Sequence, residues 1–294
     1  MSTLGSETLS VGEEPVIGVT IPVPEDRPGA RARERRLVVP SPVVRIASIV
    51  ACLLVWQAAS TNKWNGLIRF ENVPPPTAVM ESAGRLLQSA KFIYHVRNSV
   101  LRVFAGFAIA AGLGISLGLI VGRFRLARDV FLPPLEVLRP IPAVAWIPLA
   151  ILMFATAEQS MVYITFVGAF YPILLSTIHG VESVDRRLVD ASLTLGAGSI
   201  AVFREVIFPG ALPSIVTGLS IGMGTSWFSL VTAEMISGQL GIGYYTWEAY
   251  TLQKYPDIVL GMISIGLLGM GSSFLIRIAG RQMMPWFQPE ASAG

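Results

Sequence analysis

Residues 190 to 209, DASLTLGAGSIAVFREVIFP, carry side chains suited to docking rather than to bond making. An acidic residue, Asp190, precedes two small ones, Ala191 and Ser192; Gly196 follows, and Val206-x-Phe208-Pro209 closes the stretch. Small residues let a helix sit deep in a partner's groove, and a glycine at the turn tolerates the positive φ that a sharp reversal needs. The pattern predicts a short helix over 186–195, a turn at 196–198 and a second helix over 200–208, together a compact elbow with charged ends. A second set of residues suggests different chemistry. Arg139, Trp146, Thr165, Thr225, Ser226 and Trp227 are polar or aromatic positions set within apolar runs. A cation with hydroxyl and indole donors suits the polar wall of a path through an apolar surrounding. Arg139 reads equally well as a side chain snorkelling to the membrane surface.

Other chemistries lack their parts. A phosphate-cradling loop needs Gly-Lys followed by Ser or Thr, and the only lysines, Lys63, Lys91 and Lys254, follow Asn62, Ala90 and Gln253. The glycines of GQLGIGYY, Gly238, Gly241 and Gly243, follow an apolar run rather than a strand, so they read as a turn and not as a dinucleotide fingerprint. Cys52 is the single cysteine, and His95 and His179 are the only histidines. No metal or cofactor is therefore expected in this chain. Glu158 falls at the edge of an apolar run and Glu234 stands alone, which leaves no paired carboxylates for an intramembrane hydrolase. The net charge of +3 comes from basic residues spread along loops, which argues against nucleic acid as a partner.

The positioning elements follow from hydropathy. Charged residues make up only 14% of the chain, against about 25% in soluble domains, and hydrophobic ones 52%. Charge-free windows at 46–62, 103–122, 140–157, 159–181, 206–233 and 258–276 predict six membrane spans. The fold class is an all-α membrane protein with the elbow between spans four and five. Residues 1–40 have the composition of a disordered tail with no signal-peptide pattern; 41–97 hold the first span and an external amphipathic segment; 98–282 form the main transmembrane domain; 283–294 form a C-terminal tail. Arginines gather in the N-terminal tail, after span two (Arg123, Arg125, Arg128), in the elbow (Arg186, Arg187, Arg204) and at the C-terminal end. By the positive-inside rule, these segments and both termini are cytosolic. TAVMESAGRLLQSAKFIYHVRNSVLRV has helical periodicity and is expected along the outer interface before span two. Gly114, Gly118 and Gly122, and Gly218, Gly222 and Ser226, recur every four residues and predict close helix packing. Pro140, Pro142 and Pro148 predict a broken, path-lining span three.

Together these motifs resemble those of bacterial ABC importer permeases. Asp190-Ala191-Ser192, Gly196 and Val206-x-Phe208-Pro209 are similar to the family's EAA signature, with Asp for Glu, Ser for the second Ala, Val for Ile and Phe for Leu, at intact spacing. LRPIPAVAWIPLAI and PGALPSIVTGLSIGMGTSWFSLVTAEMISGQLGIGY are similar to the nitrate, sulfonate, taurine and bicarbonate branch, and the likeness covers about residues 74 to 286. The resemblance implies a coupling helix that docks on an ATPase subunit through Asp190, Ala191, Ser192, Gly196, Val206 and Pro209. It also implies a second permease copy, two ATP-binding subunits that bind the ATP and Mg, a periplasmic or lipid-anchored substrate-binding protein, and a lipid-embedded site in the bacterial inner membrane. Such a subunit is not itself an enzyme. The cargo implied is a small oxyanion, with a neutral small nitrogen compound as alternative. The rival class, a secondary transporter or channel driven by an ion gradient, needs ionisable residues at mid-depth. Its candidates, Glu234 and His179, read as structural or interfacial groups.

Overall fold

The computed structural model describes residues 41–64, 70–237 and 239–286, and among these every regular element is helical. Residues 1–40, which hold the expected disordered tail, residues 65–69, Gly238 and the last eight residues lie outside the described residues. The chain divides after Ala47, and the packing described below belongs to the unit from Ser48 onward. In order along the chain come α1 (Ser41–Thr61), α2 (Pro76–Leu86), α3 (Ala90–Arg123), α4 (Arg125–Leu138), α5 (Ile147–Met153), α6 (Ala157–Glu182), α7 (Arg186–Thr194), α8 (Ser199–Val202), α9 (Phe208–Ser237), α10 (Ile242–Thr251) and α11 (Tyr255–Met283).

Three long helices form the centre, and small residues set their distance. A Cβ added at Gly114, Gly118 or Gly122 of α3 would lie 3.0 Å from Ile173 Cγ2, 2.6 Å from Thr177 Cβ or 2.8 Å from Val181 Cβ of α6. Both series advance by four residues in the same direction, so α3 and α6 run parallel. On its other side α6 meets α9 antiparallel: Gly180 faces Ala211, and Gly222 faces Ile173. The α11 helix is antiparallel to α9, with Gly269 against Trp227 and Gly280 against Val216. Backbones this close exchange dispersion contacts along their whole length, which is how helices associate where lipid offers no hydrophobic drive. The buried core follows the same seam, from Ala169, Ile173 and Leu174 to Met223, Trp227 and Leu230.

Parallel α3 and α6 force a conclusion about the third span. The chain leaves α3 at one end and enters α6 at the other, so residues between Arg123 and Ala157 must return across the same thickness. They do so as two arms, Arg125–Leu138 and Ala143–Met153, bent by 84°. Among the described residues five helices are each long and apolar enough to cross a membrane, and the bent pair, taken as one span, makes six. The window at 140–157 is therefore not one helix, as its hydropathy alone predicts; the return begins at Arg125. Pro140 and Pro142 have no amide hydrogen to donate, and Pro142 is the extended residue before the 3₁₀ turn Ala143–Trp146. Pro148 sits in the first turn of α5, where the missing donor costs nothing.

Two other boundaries differ from the sequence reading. The external amphipathic segment is not one helix: it stops at Leu86, and from Ala90 it is already part of the 34-residue α3. Only α2 is separate, and it docks on the start of α11 through Ser82 and Asp257. The second arm of the elbow is likewise not a free helix. It runs through a π turn, Phe203–Ile207, straight into α9. Pro209 explains the π turn, because its ring leaves Glu205 O without the usual i+4 donor; the register slips and Phe208 N–H donates to Phe203 O instead.

Candidate functional site

The elbow is built around Gly196. Helix α7 starts on Asp185, whose carboxylate accepts from Arg187 N–H at 2.9 Å. It ends in a left-handed cap: Gly196 has φ +86°, its N–H donates to Leu193 O, and Ala197 N–H donates to Ser192 O, both at 3.0 Å. This pair of bonds satisfies the last carbonyls of the helix and reverses the chain. No residue of α7 is buried. Leu195 and Ile200 at the bend are 88% and 84% exposed, so the elbow presents unpartnered apolar side chains beside Asp190 and Ala191. Ser192 Oγ is spent within the helix, donating to Leu188 O at 2.8 Å. Val206 and Pro209 lie in and just beyond the π turn rather than on the exposed helix.

A cleft of about 410 Å³ opens at the break in the third span. Arg139, Pro142 and Val144 line it from the break, Gly168 and Tyr171 from α6, and Thr225 and Ser229 from α9. Arg139 follows the last residue of α4 and lines the cleft level with the middles of α6 and α9, where Gly168, Tyr171 and Thr225 stand. Its guanidinium has no hydrogen bond or ion pair among the described residues. Of the six path candidates, Arg139 and Thr225 meet here. The other four lie elsewhere in the chain. Thr165 is fully buried against Gly106, donating to Met161 O. Trp227 is buried with its Nε1 donating to Ser272 Oγ at 3.0 Å. Trp146 packs beside the core, and Ser226 is buried without a partner. Tyr171, Gly168 and Ser229 line the cleft and were not singled out from sequence; Gly168, Tyr171 and Leu175 recur on one face of α6, but that signal has meaning only once the facing helix is known.

At the opposite end from the elbow lies a buried ionic cluster that sequence reasoning missed. Glu234 is not alone: Arg102 Nη1 donates to its Oε1 at 2.9 Å, and Arg102 Nε reaches Glu158 Oε2 at 2.7 Å. Arg102 also donates to Leu240 O. Arg102 and Glu234 are 3% and 0% exposed. Ser99 Oγ donates to the Glu234 carboxylate at 2.7 Å while accepting from Ile242 N–H at 2.8 Å; Gly243 N–H donates to Glu234 at 2.9 Å, and Gly241 N–H donates to His95 Nδ1 at 3.0 Å. Gly241 has φ +141°, and any Cβ there would strike the Glu234 carboxylate. The glycines of LGIGYY thus wrap a carboxylate. Both carboxylates are held on one guanidinium, and both Glu234 oxygens are bonded. The clue in the sequence was Arg102 itself, a charge at the very edge of an apolar run.

Fold and geometry define a multi-pass helical membrane protein with an exposed elbow and a polar break in one span, the class of transport permeases. The chain belongs to the family described as binding-protein-dependent transport system inner membrane component, whose sequence pattern matches residues 110–288; it is an ABC importer permease. It is 32% identical over 254 residues to a nitrate import permease protein of Synechocystis sp., covering 83% of this chain and 90% of the relative. It is 32% identical over 237 residues to a bicarbonate transport system permease protein of Synechococcus elongatus, covering 76% and 83%. Among solved structures it shares the fold of an amino acid ABC transporter crystallised with histidines, with a TM-score of 0.53 at 18% identity, covering 69% of this chain and 96% of the other.

Proposed function

We propose that this permease moves a small oxyanion of the nitrate, bicarbonate or sulfonate type across the bacterial inner membrane by alternating access. Two copies enclose the path, and two separate ATP-binding chains hold ATP and Mg. A periplasmic or lipid-anchored binding protein delivers the cargo, and both termini face the cytosol. The elbow, through Asp190, Ala191, Ser192 and Gly196, seats in a groove of the ATP-binding chain, with Val206 and Pro209 shaping the π turn that joins it to α9. Because α8, the π turn and α9 form one continuous helix over Ser199–Ser237, a push delivered across the Gly196 reversal reaches Thr225 and Ser229 in the cleft along a single helix.

The observation that carries the substrate class is Arg139. An arginine at crossing depth is costly unless it meets an opposite charge, and this one faces an open cleft. A planar guanidinium with several N–H groups matches the paired oxygens of a trigonal oxyanion. The relatives named for nitrate and bicarbonate carry such anions. Glu234, a carboxylate that an ion-coupled transporter would need free and at mid-depth, is fully bonded at the end of α9, which weighs against that rival. The test is uptake in a deletion strain complemented with Arg139→Gln. Loss of nitrate or sulfonate uptake at normal membrane abundance is expected; uptake unchanged, or loss confined to amino acids or sugars, overturns the substrate class.

A further inference from the structure

At the elbow end of the molecule two pockets meet side by side. The first, about 540 Å³, is polar and holds Arg123, Arg125, Arg128 and Arg186, against the carboxylates of Glu182 and Asp190. Arg128 is ion-paired with Glu182; Arg123, Arg125 and Arg186 have no ion pair among the described residues. Helix α4 begins at Arg125 without a capping side chain, so the positive end of its dipole adds to the same field. The second pocket, about 350 Å³, is apolar and is lined by Leu119, Ile120, Ser199, Ile200 and Phe203. Arg123 and Phe124 line both.

Arginines gathered at one end of a membrane protein satisfy the orientation rule wherever they sit on that end. That rule does not explain why four of them turn into one concavity, nor why an apolar slot opens from its rim. A free inorganic anion needs only the first pocket. A molecule with a phosphodiester at one end and an acyl chain at the other needs both, in this adjacency and at the boundary between water and hydrocarbon. We infer that the paired pockets are a binding site for an anionic glycerophospholipid. The phosphate and headgroup sit among Arg123, Arg125 and Arg186, and one acyl chain lies along Leu119, Ile120 and Phe203 under Ile200. Asp190 lines the polar pocket and Ile200 the apolar one, so the occupied site braces both arms of the elbow.

The test uses the full chain, purified without its ATP-binding partners and stripped of lipid, so that it is independent of coupling and of cargo. Native mass spectrometry titrates phosphatidylglycerol and phosphatidylcholine of identical acyl chains, with inorganic phosphate as competitor. Phosphatidylglycerol should bind about ten-fold more tightly, and the double substitution Arg123→Gln, Arg186→Gln should reduce it to the phosphatidylcholine level, about ten-fold or more. Arg123→Lys, Arg186→Lys should retain binding, which separates lost charge from a misfolded elbow. Ile200→Ser, at a side chain too exposed to hold the core together, should weaken phosphatidylglycerol several-fold. Equal binding of the two lipids, indifference to the Gln substitutions or to Ile200→Ser, or displacement of phosphatidylglycerol by millimolar phosphate would each overturn the assignment.

Discussion

Replacing Arg102 by alanine should be among the most damaging single changes outside the glycine seam. The guanidinium bridges Glu158 and Glu234 and caps Leu240 O, so its loss unties α3 from α6, α9 and the turn before α10 at once. What remains decides the magnitude. Glu234 is 0% exposed and keeps Ser99 Oγ and Gly243 N–H but loses its only cation. Removing one partner of a buried ion pair costs about 3–5 kcal/mol, because the other charge stays desolvated and uncompensated. Glu234→Gln should cost less, about 1–3 kcal/mol. The amide keeps the shape, and Arg102 stays neutralised by Glu158, whose side chain is 58% exposed. With roughly 2–4 °C per kcal/mol for a chain of this order of size, Arg102→Ala should lower the melting temperature by about 6–20 °C. Tryptophan fluorescence of the purified protein during a thermal ramp reads this directly. The double variant, Arg102→Ala with Glu234→Gln, should lose less than the two singles added together, since no orphaned carboxylate is left. A melting point within about 2 °C of wild type for Arg102→Ala, or strict additivity in the double, would refute the reasoning.

Two further outcomes are expected. Gly196→Asp should leave the protein inserted and abundant, because no atom lies within 4 Å of the position a Cβ would take and the left-handed backbone costs only about 1–2 kcal/mol; it should abolish co-purification of the ATP-binding chain and substrate-stimulated ATP turnover, and normal pull-down with normal stimulation would make the elbow a plain surface loop. In a Cys52→Ser background, a cysteine at Ser183, which is exposed at the end of α6, should resist an impermeant thiol reagent in intact cells and react in inverted vesicles, and labelling in intact cells would reverse the orientation.

Local chemistry alone was enough for much of this protein. Apolar windows located the long helices, because a bilayer demands unbroken apolar length. Gly196 could be assigned its reversal, because only the absence of a Cβ makes a positive φ cheap. The four-residue glycine series announced a close helix contact, though not which helix it faced. The rest depended on distance in space. Arg102 and Glu234 are 132 residues apart, and no periodicity links them; they meet because parallel α3 and antiparallel α9 both flank α6. Pro140 and Pro142 announced a broken third span, but hydropathy confined that span to 140–157, and only the parallel run of α3 and α6 showed that the return begins at Arg125. Thr165, Ser226 and Trp227 matched the chemistry of a path wall, yet a polar side chain on a helix declares its type and not its neighbour. Only the packing of α6 against α3 and α9, and of α11 on α9, decided that Thr165 fills the seam, that Trp227 bonds Ser272, and that Arg139 is left facing the cleft.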